Sequence, residues 1–186
     1  MNETLLIVIA VVAVLAIGGW WFFQHRRSEH LRSRFGPEYE HEVEEKGSRR
    51  KAEAELRNRE KRVEKLDIRP LEPAARQGFV QRWTEIQATF VDEPPRAVAF
   101  ADDLLAEVMR ARGYPVSDFE QRAGDISVDH PKVVEHYRSG HEIALRHERG
   151  DAGTEDLRQA MIHYRALFDE LVEPESAERS REDAAH

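Results

Sequence analysis

The hydrophobic pattern of the chain begins with an uninterrupted apolar stretch, Leu5 to Phe23, that contains no charged side chain. As a helix rising about 1.5 Å per residue it would extend about 28 Å, close to the roughly 30 Å hydrocarbon core of a bilayer. Trp20 and Trp21 near its end are typical of the aromatic belt at a membrane–water interface. We therefore predict a transmembrane helix over residues 5–23, preceded by a short external N-terminus at residues 1–4.

A cleaved signal peptide is the competing interpretation of this stretch. Signal peptides begin with a basic region and end in a small-residue cleavage site. Here the first four residues carry only the charge of Glu3, and the stretch ends in Gly18-Gly19-Trp20-Trp21. Both features favour an uncleaved anchor.

Basic residues follow the stretch, and they predict its orientation. The side after Phe23 carries His25, Arg26, Arg27, Arg32 and Arg34. Because positive charge is retained on the cytoplasmic side, we expect the N-terminus outside and the soluble domain in the cytoplasm of a single-pass membrane protein.

Four later segments carry apolar residues at helical spacing, which indicates amphipathic helices. The stripes are Phe79, Trp83, Ile86 and Phe90; Val98, Ala101, Leu105 and Val108; Val134, Tyr137, His141 and Leu145; and Leu157, Met161, Tyr164, Phe168 and Leu171. No alternating strand pattern competes with them. The sequence therefore predicts an all-α fold, with a small antiparallel helical bundle over residues 71–172.

Residues 24–70 predict a charged, juxtamembrane helical linker between the anchor and the bundle. Good helix formers dominate residues 38–66, and Gly47-Ser48 is a candidate break. The apolar face is thin, with Leu56 and Val63 seven residues apart but no sustained heptads. Two interpretations stay open: a helix packed along a narrow seam, or a coiled-coil stem that would make the protein a homodimer.

Local signals predict where several helices end. Gly113 has the position of a helix C-cap, and Ser117 opens a capping-box pattern. We expect Gly124 and Asp125 to end that short helix and Asp129 to cap the next. Residues 173–186 are polar and acidic, and we predict a disordered tail.

The uneven charge distribution along the chain indicates which partners each segment would suit. The net charge is −8, yet residues 24–70 hold 14 Lys or Arg against 11 Asp or Glu, whereas residues 71–186 hold 14 against 24. A basic segment beside the anchor suits anionic lipid, and an acidic domain argues against nucleic acid. Cysteine is absent, which excludes disulfides and thiolate sites.

Histidines are the candidate chemistry of the last third of the chain. His130, His136 and His141 lie among carboxylates, but His141-Glu142 lacks a histidine at position 145, where a zinc-protease helix needs its second ligand. The chain has no phosphate-binding loop, dinucleotide fingerprint or nucleophile elbow. We therefore predict no catalytic residue, cofactor or metal, and keep these histidines as speculative ligand contacts.

A basic, aromatic loop is the second candidate contact. Arg110, Arg112 and Tyr114 surround Gly113 and would suit a partner protein or a lipid headgroup. The competing interpretation is that the two arginines complement the dipole at the C-terminus of their helix.

Four segments carry a resemblance to a known type of protein. They are Arg34-Phe35-Gly36-Pro37-Glu38-Tyr39, Lys61-Arg62-Val63-Glu64-Lys65-Leu66-Asp67-Ile68, Met109-Arg110-Ala111-Arg112-Gly113-Tyr114-Pro115 and Thr154-Glu155-Asp156-Leu157-Arg158. The chain resembles a family of uncharacterised bacterial single-pass membrane proteins with a helical soluble domain. The resemblance implies a bacterial origin and this architecture, and it implies no activity or site residues.

Two functions are consistent with these patterns. The first is a non-enzymatic, membrane-anchored interaction or scaffold module that binds an unidentified protein, with residues 5–23 held in the lipid bilayer. The alternative is an enzyme, or a histidine-dependent metal or ligand site, centred on residues 130–147.

Overall fold

A computed structural model describes residues 26, 28–115 and 117–173, and the regular secondary structure in these ranges is entirely helical. The predicted all-α helical bundle is confirmed. The predicted transmembrane helix at residues 5–23 lies outside the described residues, as does nearly all of the predicted tail. Within the described ranges, no helix combines the length and the apolar character that crossing a bilayer requires.

The helices follow one another with short connections. Residues 28–35 form α1. The next are α2 (Pro37–Lys46), α3 (Arg49–Val63), α4 (Pro73–Asp92), α5 (Pro94–Arg112), α6 (Phe119–Asp129), α7 (Val134–Glu148) and α8 (Thr154–Val172). Gly47 adopts a left-handed conformation after α2, which confirms the predicted break in the charged segment. The chain divides into two compact units, and the division falls inside α3 between Arg57 and Asn58.

A buried carboxylate links the helices of the first unit. Glu53 of α3 accepts hydrogen bonds from Ser28 Oγ at 2.5 Å, Tyr39 Oη at 3.0 Å and Arg49 Nε at 3.1 Å. Burial alone would raise the pKa of Glu53, but these three donors lower it below its usual value. The thin apolar face predicted for this segment is thus supplemented by a polar network that no periodicity indicates.

The core of the second unit is organised around α5. Its inward face is fully buried, and α5 packs against both α4 and α8, while α7 packs mainly on α8. The buried face comprises Ala97, Val98, Ala101, Leu104, Leu105, Val108 and Met109. The α8 stripe predicted from the sequence is also buried throughout. Both stripes are therefore confirmed.

The N-terminus of α6 lies one residue from the predicted position. Asp118, not Ser117, is the N-cap, and its carboxylate accepts a hydrogen bond from the Gln121 backbone N–H at 2.9 Å. Both residue types cap helices well, so two adjacent candidates cannot be separated by sequence alone.

The predicted end of α6 is wrong. The helix continues through Gly124 and Asp125 to Asp129, which ends α6 instead of capping α7. An interior glycine costs a helix about 1 kcal/mol relative to alanine, and tertiary contacts offset that cost. Asp125 is buried and accepts a hydrogen bond from Arg62 Nε at 2.6 Å, and Asp129 accepts one from the Tyr114 hydroxyl at 2.7 Å.

Candidate functional site

An open groove runs between α4 and α8. Both helices pack on α5 and make few contacts with each other, so their outer seam is left unfilled. One part of the groove has a volume of about 280 Å³. Its apolar lining is Trp83, Phe90, Met161 and Ile162, and Arg158 and Arg165 stand at its edge.

Trp83 is the residue around which the groove is built. It is buried, and its ring stacks on Phe168 with centroids 4.7 Å apart. The guanidinium of Arg165 lies 5.8 Å from the Trp83 ring centroid, within the range of a cation–π contact. Trp83 Nε1 is buried and has no hydrogen-bond acceptor among the described residues. A buried donor without an acceptor is costly, and a bound group could supply one.

Two arginines stand at the edge of the first part of the groove, and each is paired with a neighbouring carboxylate. Arg158 binds Glu155 at 2.6 Å, and Arg165 binds Asp169 at 2.7 Å. The Arg158 hydrogen bonds lower the pKa of Glu155 to about 2, so that carboxylate stays ionised. Exposed pairs of this kind contribute little to stability, so either guanidinium can exchange its carboxylate for that of a partner. The lining of this part of the groove contains two guanidiniums and no carboxylate.

A second depression continues the groove along the same two helices. It has a volume of about 410 Å³ and shares Trp83 and Arg165 with the first. Val80 borders it with 47% of its surface exposed, and Ile162 borders the first part with 49% exposed. Along α8 the lining runs from Arg158 to Val172, about 21 Å at 1.5 Å per residue.

The predicted basic loop is largely internal. Arg112 is buried and donates from Nη1 to the Leu171 carbonyl at 3.3 Å, and Tyr114 is buried against Asp129. Arg110 is exposed. Arg112 and Tyr114 therefore have structural roles, and the contact with a partner or headgroup stays a prediction for this loop.

The three predicted histidines each have a different partner. His130 is buried with Nδ1 3.2 Å from a Glu170 carboxylate oxygen. The His141 ring stacks on Phe119 with centroids 3.6 Å apart. His136 meets His163 of α8, another histidine of the last third of the chain. In the ranges that the structure describes, no three His, Asp or Glu side chains are grouped as metal ligands.

A buried polar cluster beside His141 was not predicted. Asp102 is partly buried, and its Oδ2 lies 3.4 Å from Arg122 Nη2. The Tyr164 hydroxyl is buried without a hydrogen-bond partner among the described residues, and the Tyr137 hydroxyl is buried near the Asp102 carboxylate. Burial, together with the charge of Asp102, raises the pKa of both tyrosines well above their usual value. One sequence signal could have indicated this cluster: Tyr137 and Tyr164 lie on predicted apolar stripes. A buried tyrosine hydroxyl usually needs a polar partner nearby.

His141 makes the stability of this unit dependent on pH. Burial lowers its pKa, as does Arg122, while Asp102, Glu120 and Glu148 act in the opposite direction. The unfolded chain therefore takes up the proton first, near the ordinary histidine value of about 6.5. The stability from neutral His141 is complete above that pH and is lost as the pH falls through the lowered folded-state pKa. We expect a lower melting temperature at pH 5.5 than at pH 7.5, and a smaller difference in a His141→Gln variant.

The control for this prediction is His41→Gln, which changes an exposed histidine of α2. It should leave the pH dependence unchanged. Equal pH dependence in wild type and His141→Gln would contradict the assignment to His141.

Comparison with known proteins supplies no further assignment. The chain matches no protein-family model, no curated protein and no solved structure. The resemblance described above stays a prediction that rests on its four segments.

Proposed function

We propose that the protein is a membrane-tethered interaction module, and that its α4–α8 groove binds an amphipathic helix of a partner protein whose apolar face is flanked by acidic side chains. The observation that carries the proposal is the groove itself, an apolar channel floored by Trp83 and edged by two arginines.

The size of the groove favours side chains of a protein partner over a small-molecule ligand. Pockets for drug-sized ligands and cofactors occupy roughly 300–1,000 Å³ and enclose most of the ligand. Here each part is open, and the more apolar one measures about 280 Å³. Anchor side chains of protein interfaces fill small pockets of this kind, usually beside an aromatic residue.

The charge of the groove favours an acidic partner. Residues 71–186 carry 24 acidic and 14 basic residues, so most of this surface repels anions. In the first part of the groove the charged lining residues are Arg158 and Arg165, whereas Asp169 and Glu173 line the second depression, so the acidic side chains of the partner helix are expected beside the first part. A carboxylate beside an apolar anchor would meet a guanidinium there and be repelled elsewhere, which provides specificity.

The length of the groove favours a helix. The two depressions follow α8 over about four turns, which matches a helix laid along a groove with anchors at i, i+3 or i+4 and i+7. A helix there would pack against α4 and α8 as these pack against α5. Exposed Val80 and Ile162 would be covered at the two ends.

The anchor completes the proposal. The uncharged stretch from Leu5 to Phe23 and the basic residues after it support a single membrane span with the helical unit on the cytoplasmic side. A tether of this kind raises the effective concentration of the module for partners at the same membrane. A membrane protein with a cytoplasmic segment is therefore the expected source of the helix.

Photo-crosslinking in the intact membrane tests the proposal. A photoreactive phenylalanine analogue replaces Ile162 in the full-length chain, and the captured peptide is identified by mass spectrometry. We expect a peptide from another protein with an apolar helical stripe and adjacent Asp or Glu. Capture should fall several-fold in an Arg158→Glu, Arg165→Glu variant, because like charges then face each other. Deleting residues 5–23 should release the protein from the membrane fraction and reduce capture.

Two controls define the interpretation. Arg96→Glu removes an i,i+3 partner of Glu93 that matches the Arg158–Glu155 pair but lies outside the groove, so capture should be unchanged. The photoreactive residue placed at Val91, which is 80% exposed and borders neither depression, should capture no such peptide. Capture of lipid only, of a second copy of this chain only, or of a peptide insensitive to the charge reversal would refute the proposed partner.

A further inference from the structure

Two histidines from neighbouring helices meet on the surface of the second unit. His136 of α7 is exposed and His163 of α8 is half-buried. Their Nδ1 atoms are 3.0 Å apart, and their ring centroids are 5.2 Å apart with an interplanar angle of 34°. Each side chain thus directs the same ring nitrogen toward the other.

A close helix approach brings these rings together. Gly140 lies one turn after His136, and Tyr164 directly follows His163. A Cβ atom at Gly140 would lie only 2.6 Å from Tyr164 Cε1, so α7 and α8 approach at a distance that only glycine permits. The histidines are therefore held by two rigid, packed helices and not by a loop.

The spacing of the two nitrogens matches a chelate. Imidazole nitrogens bind Zn²⁺ at about 2.0–2.1 Å, and at ligand angles of roughly 90–110° two of them are about 2.8–3.4 Å apart. We infer that His136 and His163 form a two-histidine site, through their Nδ1 atoms, for a borderline divalent metal ion such as Zn²⁺. The site is independent of the proposed groove function.

The surroundings suit a hydrated cation. No third protein ligand is grouped with the pair in the described part of the chain, so water would fill the remaining positions. Both rings present a nitrogen to the same point, and a neutral imidazole is the form that binds metal. Imidazole ligands favour Zn²⁺, Cu²⁺ and Ni²⁺ over Mg²⁺, which prefers oxygen.

Zinc titration of the full-length protein in detergent micelles tests the site. The side-chain ¹⁵N resonances of His136 and His163 report zinc binding directly. The melting temperature of the unit that contains α7 and α8 reports the stabilisation that a metal bridge between these helices adds. We expect ZnCl₂, and not MgCl₂, to shift both resonances together and to raise the melting temperature with metal concentration. Losing even an outer-shell partner weakens a metal site about 10–100-fold, so His136→Gln or His163→Gln should weaken zinc binding at least tenfold.

The matched control is His147→Gln. His147 lies on the same helix, and its Nδ1 contacts the Ala152 carbonyl at 2.9 Å, so its replacement leaves the pair intact. Zinc affinity should stay within about twofold of wild type, well below the 10–100-fold loss that follows removal of even an outer-shell partner of a metal site. Melting without metal establishes that each variant is folded. Zinc binding of equal strength in His136→Gln and wild type, or no change in either resonance at millimolar zinc, would overturn the inference and leave a simple hydrogen-bonded pair.

Discussion

Replacing Gly113 with alanine should lower the free energy of unfolding of the unit formed by residues 58–173 by about 2–5 kcal/mol, the sum of backbone strain and a steric clash. Gly113 ends α5 at φ +104°, and its N–H reaches the carbonyls of Met109 and Arg110. A left-handed conformation costs a residue with a Cβ about 1–2 kcal/mol. The Cβ would also lie 2.2 Å from the Asp67 carbonyl oxygen, a backbone atom.

The clash at Gly113 cannot be relieved easily, because the segment around Asp67 is fixed. The Arg69 backbone N–H donates to the Arg112 carbonyl at 2.8 Å. Leu66, Ile68 and Leu71 are partly buried against the hydrophobic core. Overpacking of a fixed site typically costs about 1–3 kcal/mol, which adds to the backbone strain.

Gly150→Ala is the matched control for Gly113→Ala. Gly150 has φ +84°, but a Cβ there meets no atom within 4 Å, so only the strain of about 1–2 kcal/mol applies. Trp83 is the sole tryptophan after residue 21, and its fluorescence during urea unfolding reports this unit once Trp20 and Trp21 are replaced by phenylalanine. Equal losses in the two alanine variants would show that the Asp67 contact contributes nothing.

Replacing Gly140 with alanine should destabilise the same unit by up to about 2.5 kcal/mol, the difference between an overpacking cost of about 1–3 kcal/mol and a helix gain of about 0.5–1 kcal/mol. The new Cβ would lie 2.6 Å and 2.7 Å from two ring carbons of Tyr164. The Tyr164 ring is fully buried and packs beside Tyr137, so it has no room to move away. Urea unfolding followed by Trp83 fluorescence measures the loss.

Gly78→Ala is the control that separates the steric clash expected at Gly140 from the effect of helix propensity. Gly78 is an exposed residue of α4, and a Cβ there meets nothing within 4 Å. Alanine at this position should therefore stabilise the unit by about 0.5–1 kcal/mol through helix propensity alone. A stabilising effect at both glycines would contradict the close approach of α7 and α8, and with it the basis of the histidine pair.

Much of the fold follows from local pattern. The α5 and α8 stripes are buried as predicted, because a helix can bury only residues that recur near every 3.6 positions. Gly113 and Gly47 end helices as predicted. The left-handed conformation at a helix C-cap favours glycine whatever the tertiary surroundings of the helix. Prediction failed at α6, where partners distant in sequence, such as Arg62 for Asp125, outweigh an interior glycine.

The sequence by itself determined that the chain after the apolar stretch is mainly helical, which faces of α5 and α8 are buried, and that an uncharged stretch of membrane-spanning length precedes a charged chain. Only the tertiary structure decided that His136 meets His163, and that α4 and α8 leave a groove over Trp83. The physical reason is that periodicity defines the face of each helix but not its register or distance relative to a neighbour. Those depend on contacts between helices, such as Gly140 against Tyr164, and the candidate sites depend on them in turn.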